Sequence, residues 1–167
     1  MNQEPSAAAL PTGRFEGREA FRQGVRDALA AAAREGWHTI VLADPDFADW
    51  PLGERAVAES LQAWAHGGRK LTLLARRYDA VLRQHARFVQ WRIRWSHIVT
   101  ALGCPSADAL DLPSAIWSPG WVLERRDIER SVGYCSDQPE RRLLLRECLN
   151  AWLLKATPAF SATTLGL

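Results

Sequence analysis

The sequence predicts an α/β domain with a mostly parallel sheet flanked by helices, followed by a C-terminal β-hairpin and a closing helix. Uninterrupted apolar runs at residues 39–43 and 71–74 are typical of short strands buried on both faces. Around these runs, apolar residues recur at the spacing of amphipathic helices. Residues 121–126 and 130–135 lie too close together for a helical crossover, so they predict an antiparallel hairpin.

Length and composition indicate one globular domain. With 167 residues, of which 47% are hydrophobic and 24% charged, the chain is long enough for one well-filled core. We expect residues 14–167 to form a single domain and residues 1–13, which are small, polar and interrupted by proline, to form a disordered leader. Eight tryptophans are many for this length and indicate burial or a contact surface.

Charge and cysteine content restrict the partners and the compartment. A formal net charge of +2 provides no long-range attraction for polyanions, so nucleic acid is not expected as the main partner. No apolar run reaches the length of a membrane span, so we expect no membrane association. Cys104, Cys135 and Cys148 are odd in number and lack CxxC spacing, which argues against a zinc site or a disulfide framework. Free thiols indicate a cytoplasmic protein.

Helices are predicted before and between the strands. The first begins near Arg18, carries Phe21, Val25 and Leu29 on its inner stripe, and ends at Gly36, which suits a C-cap. The order is a βαβαβ unit, which implies parallel strands. The later predicted elements are a helix at 54–65, a helix at 76–91, a strand at 96–101, irregular chain at 104–117, and a closing helix at 138–154 whose Leu144, Leu145, Cys148, Leu149 and Trp152 face the core.

Two stretches carry a family resemblance: FEGREAFRQGVRDALAAAAREGWHTIVLADPDF near the start and LLLRECLNAWLLKATP near the end. Together with the element order across residues 15–155, they resemble one repeat of the phospholipase-D-like fold. The chain is especially similar to catalytically silent domains of this kind that bacteria carry alone or fused to acetyltransferases. Because two such repeats pack about a two-fold axis, the resemblance implies a homodimer that buries some of the tryptophans.

The catalytic motif of that family is missing. Active members carry His-x-Lys-x-x-x-x-Asp, in which the histidine attacks phosphorus and the lysine neutralises the phosphoryl oxygens. None of the four histidines begins this pattern, and the hairpin, aligned with it, has Gly120 for histidine, Val122 for lysine and Asp127 for aspartate. The resemblance therefore implies a non-catalytic binding or assembly module with no cofactor, whose ligand or protein partner is unknown.

A second hypothesis is a binder of, or an enzyme acting on, a phosphorylated or nucleotide-like ligand at the rim of the sheet. Ligands of open parallel sheets bind beyond the carboxyl ends of the strands, where carboxylates suit Mg²⁺ and arginines suit phosphate. The structural alternative, which we favour, is a turn-forming acidic loop beside solvated arginines. The candidate ligand-binding residues are Asp44, Asp46, Asp49, Arg76, Arg77 and Asp127.

A third hypothesis is single-stranded nucleic-acid binding through residues 87–95. Basic residues interleaved with aromatic ones neutralise phosphates while bases stack on the rings. Equally, the aromatic residues would anchor a helix in the core while the arginines face water, and we favour this alternative because the chain has no large basic surplus. The interleaved residues are Arg87, Phe88, Trp91, Arg92, Arg94 and Trp95.

Overall fold

A computed structural model describes residues 9–162, and residues 1–8 and 163–167 lie outside the described part. Most of the predicted leader therefore falls outside it. The helices are α1 (Arg18–Glu35), α2 (Arg55–Trp64), α3 (Asp79–Gln84), α4 (Ala86–Arg94) and α5 (Pro139–Leu153). The strands are β1 (Gly13–Glu16), β2 (Thr39–Ala43), β3 (Lys70–Ala75), β4 (Val99–Gly103), β5 (Ser114–Trp117), β6 (Val122–Asp127), β7 (Val132–Ser136) and β8 (Thr157–Pro158).

The eight described strands form one mixed sheet in the order β1-β7-β6-β5-β2-β3-β4-β8. Of its seven pairings, β2–β3 and β3–β4 are parallel and the other five are antiparallel. The α/β class is confirmed, but the prediction of a mostly parallel sheet is wrong. The helical crossovers join only β2, β3 and β4, whereas the second half of the chain adds strands through connections too short for a crossover.

The antiparallel half begins at β5, a strand that falls inside the stretch predicted to be irregular. β5 pairs antiparallel with β2, with Val41 opposite Trp117 and Ala43 opposite Ala115. The predicted hairpin is confirmed as β6 and β7, and β6 continues the sheet from β5. Four residues are too few to display the period of a strand, so local pattern does not reveal β5.

Helices α1 to α4 cover one face of the sheet. The inner stripe of α1 is confirmed, since Phe21, Val25 and Leu29 are fully buried, and Gly36 ends the helix in the left-handed conformation with φ of 71°. Glycine adopts this conformation without steric cost, which explains why α1 ends at Gly36.

None of the tryptophans is fully exposed. Among the described residues, no helix has the length and apolar character needed to cross a bilayer.

Helix α5 lies on the opposite face. Leu145 and Leu149 pack there with Val41 and Leu74, as predicted. The predicted inward positions of Leu144 and Cys148 are wrong, because the side chain of Leu144 is 64% exposed and Cys148 is also exposed. A helix that packs on a sheet by one side alone buries a single stripe, and α5 has apolar residues on more than one side.

The single helix predicted at residues 76–91 is two short helices that meet at His85. His85 has φ of −120° and ψ of 57°, outside the helical region. Its buried imidazole Nε2 donates a hydrogen bond of 2.9 Å to the carbonyl of Phe47. The break therefore places a polar ring against the loop that follows β2. The next strand is also displaced, since β4 begins at Val99 rather than at residue 96.

Candidate nucleic-acid interface

Helices α2 and α4 lie side by side, and their outer sides form a groove of about 480 Å³. On α4, Arg87, Gln90 and Arg94 are spaced i, i+3 and i+7, which places them on one exposed stripe. The inner side of α4 carries Phe88 and Trp91, which are buried in the core. The amphipathic pattern therefore directs the arginines outward.

Helix α2 supplies the opposite wall. Val57, Leu61 and Trp64 are buried against the sheet, so the other side of the helix faces the groove. We call this surface the α2–α4 groove; its polar lining residues are Arg55, Glu59, Gln62, Arg87, Gln90 and Arg94.

Positive charge predominates in the α2–α4 groove, which has three arginines and one carboxylate among its lining residues. Arg55 lies 3.4 Å from Glu59, but both side chains are largely exposed, so the pair is weak. Arg87 donates a hydrogen bond of 2.8 Å to the carbonyl of Gly53, which holds its guanidinium beside the start of α2. Arg94 has no carboxylate partner among the described residues. The groove is therefore suited to an anion.

The aromatic residues of this stretch do not form a stacking platform. Phe88 and Trp91 are 1% and 4% exposed, and the two rings stack on each other with centroids 5.8 Å apart. Trp95 is half-buried, and its indole N–H donates to Gln62 across the groove. Trp91 also lines the groove and has a buried indole N–H without a hydrogen-bond partner in the described chain. Arg92 is buried as well, so only Arg87 and Arg94 of the predicted arginines are exposed.

The acidic loop after β2 is organised by Asp44. This carboxylate is buried, and Oδ2 accepts hydrogen bonds from the backbone N–H groups of Asp46 and Phe47. Its other oxygen is paired with Arg125 of β6, and Asp49 pairs with the same guanidinium at 3.2 Å. Phe47 has a positive φ of 61°, a conformation that costs energy for a bulky residue and that these contacts help to hold.

The other predicted rim residues do not converge on one ligand position. Asp46 is exposed and accepts a hydrogen bond from the N–H of Ala48. Arg76 is half-buried and its backbone N–H donates to Pro45, whereas Arg77 is exposed. Asp127 accepts a hydrogen bond from the N–H of Arg130 in the β6–β7 turn. In the described part of the chain, no three histidine, cysteine or acidic residues are placed to hold a metal ion. Ligand binding by the rim residues stays a prediction.

A larger cavity of about 650 Å³ lies at the β1–β7 edge of the sheet. The guanidinium of Arg126 lies 4.9 Å from the centre of the Tyr134 ring, and that of Arg141 lies 4.2 Å from it. Arg126 also donates to the Tyr134 hydroxyl, which donates to Glu124. The hydrogen bond to Tyr134, and next to it the Glu124 carboxylate, raise the pKa of Arg126. The arginines of this cavity already have partners in Tyr134 and Glu124, so they are less available to an anion than the arginines of the α2–α4 groove.

Comparison with known proteins identifies a structural neighbour. No family model matches the sequence, and no curated protein matches it. Among solved structures, TrmBL2, described as an archaeal chromatin protein that shows a novel mode of DNA binding, is similar with a TM-score of 0.63 and 14% sequence identity. The match covers 89% of this chain and 54% of the TrmBL2 chain. At this identity the match establishes a shared fold, and this chain spans about half of its neighbour.

The match corrects two predictions. The resemblance to catalytically silent bacterial phospholipase-D-like domains is wrong, because no family model supports it and the matching structure is an archaeal chromatin protein. The homodimer was inferred from that resemblance, and nothing in the match tests it. The prediction that nucleic acid is not expected as a partner is also contradicted, since the matching protein binds DNA. That prediction relied on the net charge of +2, which does not reveal how charges are distributed over the surface.

Residues 87–95 form only half of the groove, because Arg55 and Gln62 on α2 line the same surface. The available signal was the polar stripe at i, i+4 and i+7 formed by Arg55, Glu59 and Gln62 on the side of the helix opposite Val57 and Leu61. Such stripes are common on solvated helices, and only the packing of α2 beside α4 distinguishes this one.

Proposed function

We propose that this chain is a nucleic-acid-binding module that contacts the phosphate backbone through the α2–α4 groove. The observation that carries the proposal is the convergence of Arg55, Arg87 and Arg94 around one groove that contains a single carboxylate, Glu59. Arginine side chains on a helical surface are the usual partners of backbone phosphates, and such contacts provide affinity without reading sequence. The fold shared with a DNA-binding chromatin protein supports the same class of function.

The buried aromatic residues favour duplex DNA over single strands as the ligand. Binding of single strands relies on bases stacking on exposed rings, and Phe88 and Trp91 are held in the core. Contact with phosphates alone needs exposed cations at the rim of a groove, which Arg87 and Arg94 provide. The proposed ligand is therefore a duplex recognised mainly through its backbone.

The test is fluorescence anisotropy with a labelled duplex and with one of its strands at several salt concentrations. The wild-type protein is expected to bind the duplex with a log–log salt slope of about −2 to −3, because each neutralised phosphate contributes about −0.9. Replacing two arginines, as R87A/R94A, is expected to weaken binding at least about tenfold and to make the slope shallower by about two.

The matched control is R130A, which removes an exposed arginine from the β6–β7 turn, away from α2 and α4. It is expected to leave the affinity within about twofold, since it does not touch the groove. Equal losses in R130A and R87A/R94A would show nonspecific attraction to the surface and would exclude the groove. Stronger binding of the single strand than of the duplex would restore the stacking interpretation.

The cellular compartment belongs to the proposal. All three cysteines of the chain are free thiols, two of them buried and one exposed. Thiols persist in the reducing cytoplasm, which is therefore the compartment proposed for this protein.

A further inference from the structure

Arg92 is a buried cation with few compensating contacts. Arg92 is 7% exposed and lies on the side of α4 away from the α2–α4 groove. Its Nε donates a weak hydrogen bond of 3.3 Å to the carbonyl of Phe160, and its guanidinium lies 5.7 Å from the centre of the Phe160 ring. The buried Nη1 has no hydrogen-bond partner in the described chain.

Among residues 9–162, the surroundings of Arg92 hold no counter-charge. No carboxylate among the described residues forms an ion pair with it, whereas several other arginines have one. The pKa of Arg92 is lowered, because burial disfavours its charge, and only the neighbouring Tyr78 works in the opposite direction. Tyr78 is itself protonated, since burial raises its pKa and its hydroxyl donates to the carbonyl of Leu102.

Arg125 shows what full compensation of a buried arginine looks like in this fold. Its guanidinium pairs with two carboxylates, those of Asp44 and Asp49. It also donates to the hydroxyls of Ser114 and Ser131 and lies 4.1 Å from the centre of the Phe21 ring. Arg92, in contrast, contacts only the ring and the backbone carbonyl of Phe160. Among the described residues, no carboxylate or hydroxyl accepts a hydrogen bond from it.

The space beside Arg92 is a cavity of about 490 Å³ at the free edge of β4. Strand β8 pairs with β4 only at Leu102 and Gly103, so the earlier part of β4 forms one wall of the cavity. Thr100 lines it from β4, and Phe160 lines it from the chain that follows β8. The Arg92 guanidinium therefore borders a space large enough for a small ligand.

A buried charge without a partner is unfavourable, because removal of water from the ion is not repaid by any attraction. We propose that the Arg92 cavity is a binding site for a small oxyanion, a phosphate or carboxylate group, held by the Arg92 guanidinium. Phosphate and carboxylate share the geometry that an arginine fork recognises through two parallel hydrogen bonds. This site is separate from the groove proposed to bind nucleic acid.

The experiment is isothermal titration of the full chain with inorganic phosphate and, separately, with acetate, in chloride buffer of matched ionic strength. Saturable binding of either anion is expected in the wild-type protein and identifies which oxyanion the site prefers. R92M keeps the bulk of the side chain without its charge and is expected to weaken that binding at least about tenfold. R92K keeps a positive charge but loses the planar fork, and it is expected to weaken binding about threefold.

R83M is the matched control, since Arg83 is exposed on α3 and lines neither the Arg92 cavity nor the α2–α4 groove. It is expected to bind the anion as the wild-type protein does. Absence of saturable binding by both anions would overturn the proposal, as would equal affinity in R92M and wild type or an equal loss in R83M. If R92M does not fold, R92K decides: an affinity equal to that of the wild-type protein would overturn the proposal. R92M is expected to bind duplex DNA as wild type does, so this result is independent of the proposed function.

Discussion

Arg125 and Asp44 form an ion pair in the interior of the protein, with Nη2 and Oδ1 separated by 3.0 Å and side chains that are 1% and 2% exposed. The two residues are 81 positions apart in the sequence. Asp44 follows the parallel strand β2, and Arg125 belongs to β6 of the antiparallel half. The pair therefore connects the two halves of the sheet on the side covered by α1, where Phe21 lies against the guanidinium.

Breaking this ion pair is expected to destabilise the protein strongly. D44N keeps the shape and an acceptor for the loop N–H groups but leaves Arg125 with less counter-charge. We expect a loss of about 3–5 kcal/mol in the free energy of unfolding, measured by urea denaturation, because a buried cation remains without its main partner. D46N, in the same loop but exposed, is the control and is expected to cost less than about 1 kcal/mol. Equal losses in both variants would contradict a special role for Asp44.

Gly133 is expected to tolerate no side chain. A Cβ added there would lie 1.9 Å from the carbonyl oxygen of Glu124 in the neighbouring strand, so β6 and β7 would have to separate. G133A is expected to cost about 3 kcal/mol or more, seen as a lower thermal midpoint. Gly120 has no atom within 4 Å of an added Cβ, so G120A is expected to change stability by less than about 0.5 kcal/mol. A G133A midpoint equal to that of G120A would contradict this packing.

Stability is expected to fall in acid partly because of Glu54. A hydrogen bond from Arg26 lowers the pKa of Glu54 below its ordinary value of 4.5. The folded-state pKa is depressed, so the stabilising contribution is present above about pH 4.5 and is lost as the pH falls through the lower folded value. E54Q should therefore lose less stability than wild type between about pH 6 and pH 3, measured by urea midpoints.

The control for this pH dependence is E59Q. Glu59 pairs with Arg55 at 3.4 Å, but the two side chains are 82% and 70% exposed for Arg55 and Glu59 respectively, so solvent screens the pair. E59Q is expected to keep the wild-type dependence on pH. If E54Q and wild type lost stability in parallel, the Arg26–Glu54 contact would have no part in acid unfolding.

The three thiols are expected to differ in reactivity. Burial raises the pKa of Cys135 to about 12, and it also raises the pKa of Cys104. Only the thiolate attacks a disulfide reagent, so both should stay unlabelled in the native protein near pH 8. Cys148 is exposed and should react, although more slowly than a free thiol, because burial of its sulfur and Glu124 raise its pKa. Counting labelled sites by mass spectrometry before and after denaturation checks this, and C148S should show no native labelling.

The raised pKa of Cys135 also makes the folded protein less stable at alkaline pH. Above the ordinary cysteine pKa of 9.0 the unfolded chain ionises Cys135, while the folded chain keeps its proton up to about pH 12.

Local sequence patterns were sufficient to predict a helix or strand where that element determines its own conformation. The inner stripe of α1 and the stop at Gly36 follow from helical spacing and from the freedom of glycine at positive φ. The apolar runs of β2 and β3 likewise identify strands buried on both faces. The predictions of secondary structure failed where a contact between residues distant in the sequence overrides the local pattern. The hydrogen bond from His85 to Phe47 accompanies a helix break that the apolar spacing does not signal, and β5 is a strand only because β2 and β6 lie on either side of it.

By itself, the sequence determined the α/β class, the positions of α1, α2 and α5, the β6–β7 hairpin, and the presence of arginines among aromatic residues at 87–95. These depend on neighbours in the chain, whose spacing the sequence displays directly. Only the tertiary structure decided that the sheet is mostly antiparallel, that Asp44 pairs with Arg125, and that Arg55 joins Arg87 and Arg94 while Arg92 is buried. These relationships join residues far apart in the chain, and no local period encodes which distant surfaces meet.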